Sequence, residues 1–185
     1  MARYQVGIQT EARIVDATRE LLSERGLDGT TLKAICDRAD VRSGSFYNLF
    51  DSKEEVVLRV VAEAIAAVDP DPAGIGSDTI DELVDAYVTF ITGQPELARI
   101  YVQVAITGGM NHTGAAARFL RHHERRVDRF AAAFTRAEPD IDVKEATARA
   151  EILLGALDGL AFRWILDLGF DFPGHARAAA KRFGV

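Results

Sequence analysis

The stretch TTLKAICDRADVRSGSFYNLFDSKEEVV, residues 30–57, decides how the rest of the chain is read. Leu32, Ile35, Cys36 and Ala39 recur at i, i+3, i+4 and i+7, the spacing of one buried helix face. They follow the pair Thr30-Thr31, a residue type that caps helix starts. Asp40 to Gly44 reads as a turn, and a second short helix carries Phe46 and Phe50 on one face. Leu32, Ile35, Cys36, Val41, Phe46 and Phe50 make a small core that fixes the angle between the two helices. Arg42, Ser43, Ser45 and Asn48 stay on the outer face, where polar side chains reach base edges. Two short helices joined by a tight turn form the unit that sets its second helix in the DNA major groove. Thr30, Thr31 and Lys53 stand at helix starts, where free backbone N–H groups favour phosphate oxygens. Tyr47 can lay its ring on the sugar-phosphate backbone.

Outward from this stretch the signals remain helical, and strand alternation is nearly absent. Thr10 and Glu11 open a preceding helix with Ile14, Val15, Thr18, Leu21 and Leu22 inward, and Gly26 closes it. Ser52 to Glu55 has the spacing of a capping box and starts a linking helix over residues 54–68. Asp69 to Ser77, with two prolines and two glycines, is a loop. Five more helical segments follow, roughly 78–92, 95–107, 113–137, 143–168 and 174–183. Pro95 suits a first helical position, Gly108-Gly109 reads as a break, and Asp142 to Glu145 as a second capping box. The fold expected is all-α with about nine helices. A helix-turn-helix DNA-binding domain over residues 1–53 is followed by a larger helical domain over 54–185.

The charge balance qualifies the nucleic-acid reading. The chain has 185 residues and a formal net charge of −6. Residues 1–53 carry eight Lys/Arg and eight Asp/Glu, whereas residues 54–185 carry 14 and 20. The acidity lies in the second part, so DNA contact rests on placed groups and helix N-termini rather than on bulk charge. Cys36 is the single cysteine, which excludes an intramolecular disulfide and a multi-cysteine zinc site. No stretch resembles a signal peptide, and the most apolar run, Ile152 to Leu166, is short for a membrane span and interrupted by Asp158 and Arg163. A cytoplasmic location without a membrane association is the expectation.

One order of features is specific: the threonine pair, Ile35, Val41, Gly44, the Phe46-Tyr47 pair, Phe50, Lys53 and Glu54. It resembles the N-terminal domain of the tetracycline-repressor (TetR) family, from Ile14 to about Val60. The resemblance implies a dimeric transcriptional regulator, commonly a repressor, that binds a palindromic operator and is released by a small-molecule effector. It implies that Lys33 reaches a base or phosphate from the second helix. Arg42, Ser43, Gly44, Ser45 and Asn48 match the recognition helix and its entrance, and Thr31, Tyr47 and Lys53 match phosphate contacts. Two positions depart from the family pattern. Asp40 stands where glycine is usual, so a left-handed aspartate is expected. Arg42 replaces a small N-cap, leaving Ser43 or Asp40 to cap the recognition helix.

The segment 151–166 is apolar almost all round, as in a helix buried on more than one side. Gly155, Ala156 and Gly159 would admit a close neighbour. With the final helix it suggests a four-helix homodimer interface, through Leu153, Leu157, Leu160, Ala176, Ala180 and Phe183. The family arrangement is similar. Aromatic residues of the middle helices are core or pocket lining. Tyr87, Phe90, Tyr101, Gln103, Asn111, Phe119, His122 and Trp164 are the candidates for an effector pocket. No cofactor and no metal are expected. His122 and His123 are adjacent, so they point about 100° apart on a helix and do not share a site. Cys36 reads as a small core residue, and Arg121, Arg125, Arg126 and Arg129 as a solvated face paired with Glu124 and Asp128. The alternative is a helical ligand-binding protein or enzyme with purely structural N-terminal helices. No nucleophile–base set, glycine-rich phosphate loop or metal cluster supports an enzyme.

Overall fold

The computed structural model describes the backbone of residues 2–110 and 114–183, and the side chains of 7–104, 117 and 119–183. Among these residues all regular structure is helical. The elements are α1 (Ala2–Gly29), α2 (Leu32–Ala39), α3 (Ser43–Tyr47), α4 (Lys53–Ala66), α5 (Ile80–Gly93), α6 (Pro95–Met110), α7 (Gly114–Ala137), α8 (Val143–Leu166) and α9 (Phe172–Lys181).

Helix starts follow local chemistry. Thr79 and Glu82 form a full capping box on α5, with the threonine hydroxyl accepting from Glu82 N at 3.2 Å and the carboxylate from Thr79 N at 2.8 Å. The Ser52 box is displaced by one residue. Ser52 accepts from Glu55 N, but Glu55 reaches back to Asp51 N at 2.6 Å. Asp142 caps α8 through Lys144 N, while Glu145 turns to Arg149, so only half of that expected box forms.

Three expectations are corrected. The first helix starts at Ala2, well before Thr10, because residues 2–9 contain nothing that stops a helix. Gly26 does not end it outright: with φ 66° it kinks the helix, and a last turn continues to Gly29. Gly108 and Gly109 do not break α6, since glycine weakens a helix by about 1 kcal/mol without forbidding it.

The chain divides into two compact units, Met1–Ala64 with Glu96–Ala115, and Ile65–Pro95 with Ala116–Val185. These units do not follow the 53/54 boundary: most of α4 and α6 belong with the N-terminal helices. In the first unit Ile14, Leu21, Leu22, Ile35, Phe46, Val56, Val57, Val60 and Val61 are buried. In the second, α9 packs on α5 and α8 through Phe172, Ala176 and Ala180, over Leu153, Leu154 and Leu157 of α8. No helix among the described residues is long and apolar enough to cross a membrane.

Candidate functional site

The first site is the α2–α3 surface. Thr31 caps α2, its hydroxyl accepting from Ala34 N at 3.1 Å. Asp40 ends α2 in the left-handed conformation, φ 50° and ψ 53°, and is the one non-glycine residue there among those described. Val41 N then bonds Cys36 O at 3.0 Å, closing the turn. Arg42 is the extended residue before α3, with no side-chain cap, so neither Ser43 nor Asp40 takes the capping role expected of them. Ser43 is a hydrogen-bond partner of the Cys36 thiol instead. Burial pushes that thiol above its ordinary value, the serine bond opposing it, which keeps Cys36 an inert core residue.

Phe46 is wholly buried and packs on Phe50 at 5.6 Å, which aims α3 outward. Arg42, Ser43, Gly44, Ser45, Tyr47 and Asn48 are all exposed, and Tyr47 keeps 55% of its surface while its ring meets the edge of Phe46. Thr31 and Lys33 on α2 are exposed as well. Lys53 is half-buried, its Nζ donating to Leu27 O at 3.3 Å. Thr30 differs from the rest. It is fully buried and its hydroxyl donates to Gly26 O at 2.7 Å, so it closes the α1–α2 corner and faces no partner.

Ion pairs sort the charges of this neutral module. Arg38 grips Glu20 and Glu24 of α1 at 2.8 Å, and Arg19 and Arg59 converge on Glu63. These arginines brace α1 against α2 and α4. Lys33 and Arg42, by contrast, have no carboxylate partner among the described residues, and both lie on the exposed α2–α3 surface. Positive charge is therefore left uncompensated where polar side chains converge.

Residues 14–60 match the profile of bacterial regulatory proteins of the tetR family. Its N-terminal helices are therefore of the tetR-family type over those residues. The chain is similar to the HTH-type transcriptional regulator UidR of Escherichia coli, 27% identical over 165 residues that cover 87% of this chain and 78% of that protein. It also resembles the HTH-type transcriptional repressor KstR2 of Rhodococcus jostii, 47% identical over 55 residues, 30% of this chain and 26% of the repressor. The fold matches FadR of Thermus thermophilus, a TetR-family repressor solved in complex with lauroyl-CoA, with a TM-score of 0.66 and 20% identity over 94% and 92% of the two chains. The helix-turn-helix of this chain is thus of the kind that transcriptional regulators carry, as in the curated relatives it resembles.

In the second unit a polar group joins three helices. Tyr87 of α5 donates to Asp158 of α8 at 2.7 Å, and Arg126 of α7 lies over the Tyr87 ring at 4.9 Å and 3.4 Å from Asp158. Phe172 separates Tyr87 from Trp164, with ring centroids 6.2 and 6.3 Å away. His122 is half-buried beside this group, and its pKa falls to about 4, first through burial and then through Arg126 and Arg125. Among the expected pocket residues, Tyr87, His122 and Trp164 belong to this neighbourhood. Phe90 is core and Phe119 half-buried; Tyr101 and the exposed Gln103 belong to the first unit, and Asn111 lies outside the described residues.

The arginine run is not a uniform solvated face. Arg126 turns to Asp158, and Arg129 to Asp69 and Asp78, while Arg121 and Arg125 are exposed. Asp69, Asp78 and Asp158 are far from α7 in sequence, so no local spacing signals these pairs. The expected interface set is also corrected. Leu153, Leu157, Ala176 and Ala180 are fully buried within one chain, and Leu160 and Phe183 are half-buried. The outward stripe of α8 is Ala148, Ile152, Gly155, Gly159, Phe162 and Leu166, with Ile152 61% and Leu166 68% exposed.

Proposed function

We propose that this regulator is a repressor that binds a palindromic operator as a homodimer and is released by a small-molecule effector. One observation carries the DNA reading: the residues left exposed and uncompensated on α2–α3 are those with phosphate- and base-seeking chemistry. Arg42, Ser43, Ser45 and Asn48 read bases, Gly44 lets the backbone approach, and Thr31, Lys33, Tyr47 and Lys53 hold phosphates. The α8 stripe supports the dimer. Its large side chains are apolar and its two glycines leave open space, as a helix packing on its twofold mate requires. Two recognition helices then read half-sites one helical turn or a multiple apart.

The Tyr87–Arg126–Asp158 group with His122 and Trp164 supports effector binding in the second unit, where a few polar groups converge beside aromatic rings. Release follows if the effector favours a conformer in which the recognition helices no longer match the half-sites. Such a protein works in the cytoplasm, alongside its operator.

A gel shift with DNA from the gene's own promoter tests the reading. Retardation that weakens steeply with salt is expected, and binding no tighter than to unrelated DNA would sink it. Lys53→Ala should weaken binding on every sequence and lower the salt slope by about one. Asn48→Ala should instead relax discrimination at one operator position, and equal losses from both variants on all operators would contradict these roles.

A further inference from the structure

Arginine at position 42 does nothing for folding. Helix starts favour Ser, Thr, Asp or Asn, whose short side chains accept from the first free N–H groups. Thr31, Thr79, Asp142 and Asp171 do so at the starts of α2, α5, α8 and α9. Arg42 holds the same position before α3 and makes no such bond. Its backbone is nonetheless fixed: φ −81° and ψ 152° are extended, and its carbonyl accepts from Ser45 N at 2.9 Å and Phe46 N at 3.1 Å. The root of the side chain is held while the side chain itself is exposed.

The charge has no task within the fold either. Arg19, Arg25, Arg38 and Arg59 each meet a carboxylate within 3.9 Å. Arg42 meets none among the described residues. Its neighbours on the same surface are less discriminating. The Ser43 hydroxyl is bonded with the Cys36 thiol, Gly44 has no side chain, and the Ser45 hydroxyl can pair with any base. Asn48, one turn beyond Ser45, offers a carboxamide whose donor and acceptor suit adenine. Lys33 on α2 carries a point charge without fixed geometry. Arg42 alone of this set brings a planar fork, which matches O6 and N7, the two acceptors on the major-groove edge of guanine. In a docked helix-turn-helix the first residues of the second helix meet base edges, and Arg42 stands there.

We propose that Arg42 is a specificity-determining residue whose guanidinium reads one guanine in each operator half-site, and that the missing cap on α3 is stability forgone for this contact. This rests on the operator-binding function proposed above and involves the α2–α3 surface alone. Stability and specificity then move in opposite directions at position 42, which a residue serving the fold does not show.

Selection from a pool of randomised duplex DNA by the full chain gives the preferred half-site, and fluorescence anisotropy on the selected duplex measures affinity. Wild type should require guanine at one position of each half-site. Replacing that base by 7-deazaguanine, which lacks the N7 acceptor, should weaken binding about tenfold. Arg42→Ser should bind the guanine and 7-deazaguanine duplexes alike, keep its preferences at other positions, and melt at a higher temperature than wild type. Arg42→Gln removes the fork without adding a good cap, so it should lose the same preference with Tm unchanged.

Wild type that selects no sequence refutes the operator reading, and the proposal with it. A selected half-site in which 7-deazaguanine binds as well as guanine at every position overturns the Arg42 contact alone, and that measurement needs no variant to fold. Variants that keep the guanine preference also overturn it. An even loss on all sequences does the same, since it places Arg42 on a phosphate. A Tm of Arg42→Ser at or below that of wild type overturns the exchange of stability for specificity. If Arg42→Ser does not fold by circular dichroism, Arg42→Gln decides the base contact.

Discussion

A methyl group added at Gly44 would meet nothing within 4 Å, although this residue sits in the middle of the exposed polar surface formed by Arg42, Ser43, Ser45, Tyr47 and Asn48. Gly44→Ala should therefore leave thermal stability unchanged or slightly higher, alanine being the better helix residue. Operator affinity should fall severalfold, because the added carbon occupies space the DNA backbone needs. Equal operator binding by anisotropy would remove Gly44 from the interface. Thr30 makes the opposite case. Its hydroxyl is buried on Gly26 O, so Thr30→Val should cost about 1 kcal/mol in urea unfolding and leave the salt slope of DNA binding untouched. From the sequence both threonines looked alike, since each precedes a helix, and only the corner at Gly26 separates them. Asp40 was legible: an aspartate where the turn needs left-handed backbone is the next best choice to glycine.

At the scale of elements, α8 explains what periodicity leaves open. Its residues are apolar around most of the circumference, so two stripes satisfy the same pattern, and packing against α9 selects which one faces inward. Leu157→Ala should destabilise the folded chain by about 2–5 kcal/mol, as deep core truncations do. Ile152→Lys should leave the fold intact by circular dichroism and convert dimers to monomers in light scattering. A stable dimer of Ile152→Lys at micromolar concentration would refute the α8 stripe as the interface. Helices α2 and α3 could be read almost to the residue because short spacings set their core. The Arg129 and Arg126 partnerships could not, since their carboxylates come from α4–α5 and α8.

For the whole molecule, the ionisable groups point to an acid-sensitive fold. His122 is held neutral down to about pH 4 in the folded state, whereas an unfolded histidine protonates near 6.5. Between those limits the unfolded chain binds more protons, so stability falls as pH drops from about 6.5 to about 4. Asp69, held low by Arg129, together with Asp71 and Glu82, held low by backbone amides, adds a second loss as pH falls through their depressed values. Urea midpoints from pH 7.5 to 3.5 should thus decline in two stages. His122→Gln should abolish the first stage and keep the second, and an unchanged profile would show that His122 titrates normally. Nothing in the composition signals this, because a histidine's environment depends on neighbours that folding supplies.

The inner and outer stripes of α8 have no residue in common. With the outer stripe as the proposed dimer seam, mutations that alter who pairs with whom need not disturb the hydrophobic core of either protomer. A duplicated gene could drift at Ala148, Ile152, Gly155, Gly159, Phe162 and Leu166 until its product ignored the parental chain, with both copies still folding. Regulators of this construction can multiply in one genome without forming mixed pairs, which keeps each operator under a single signal.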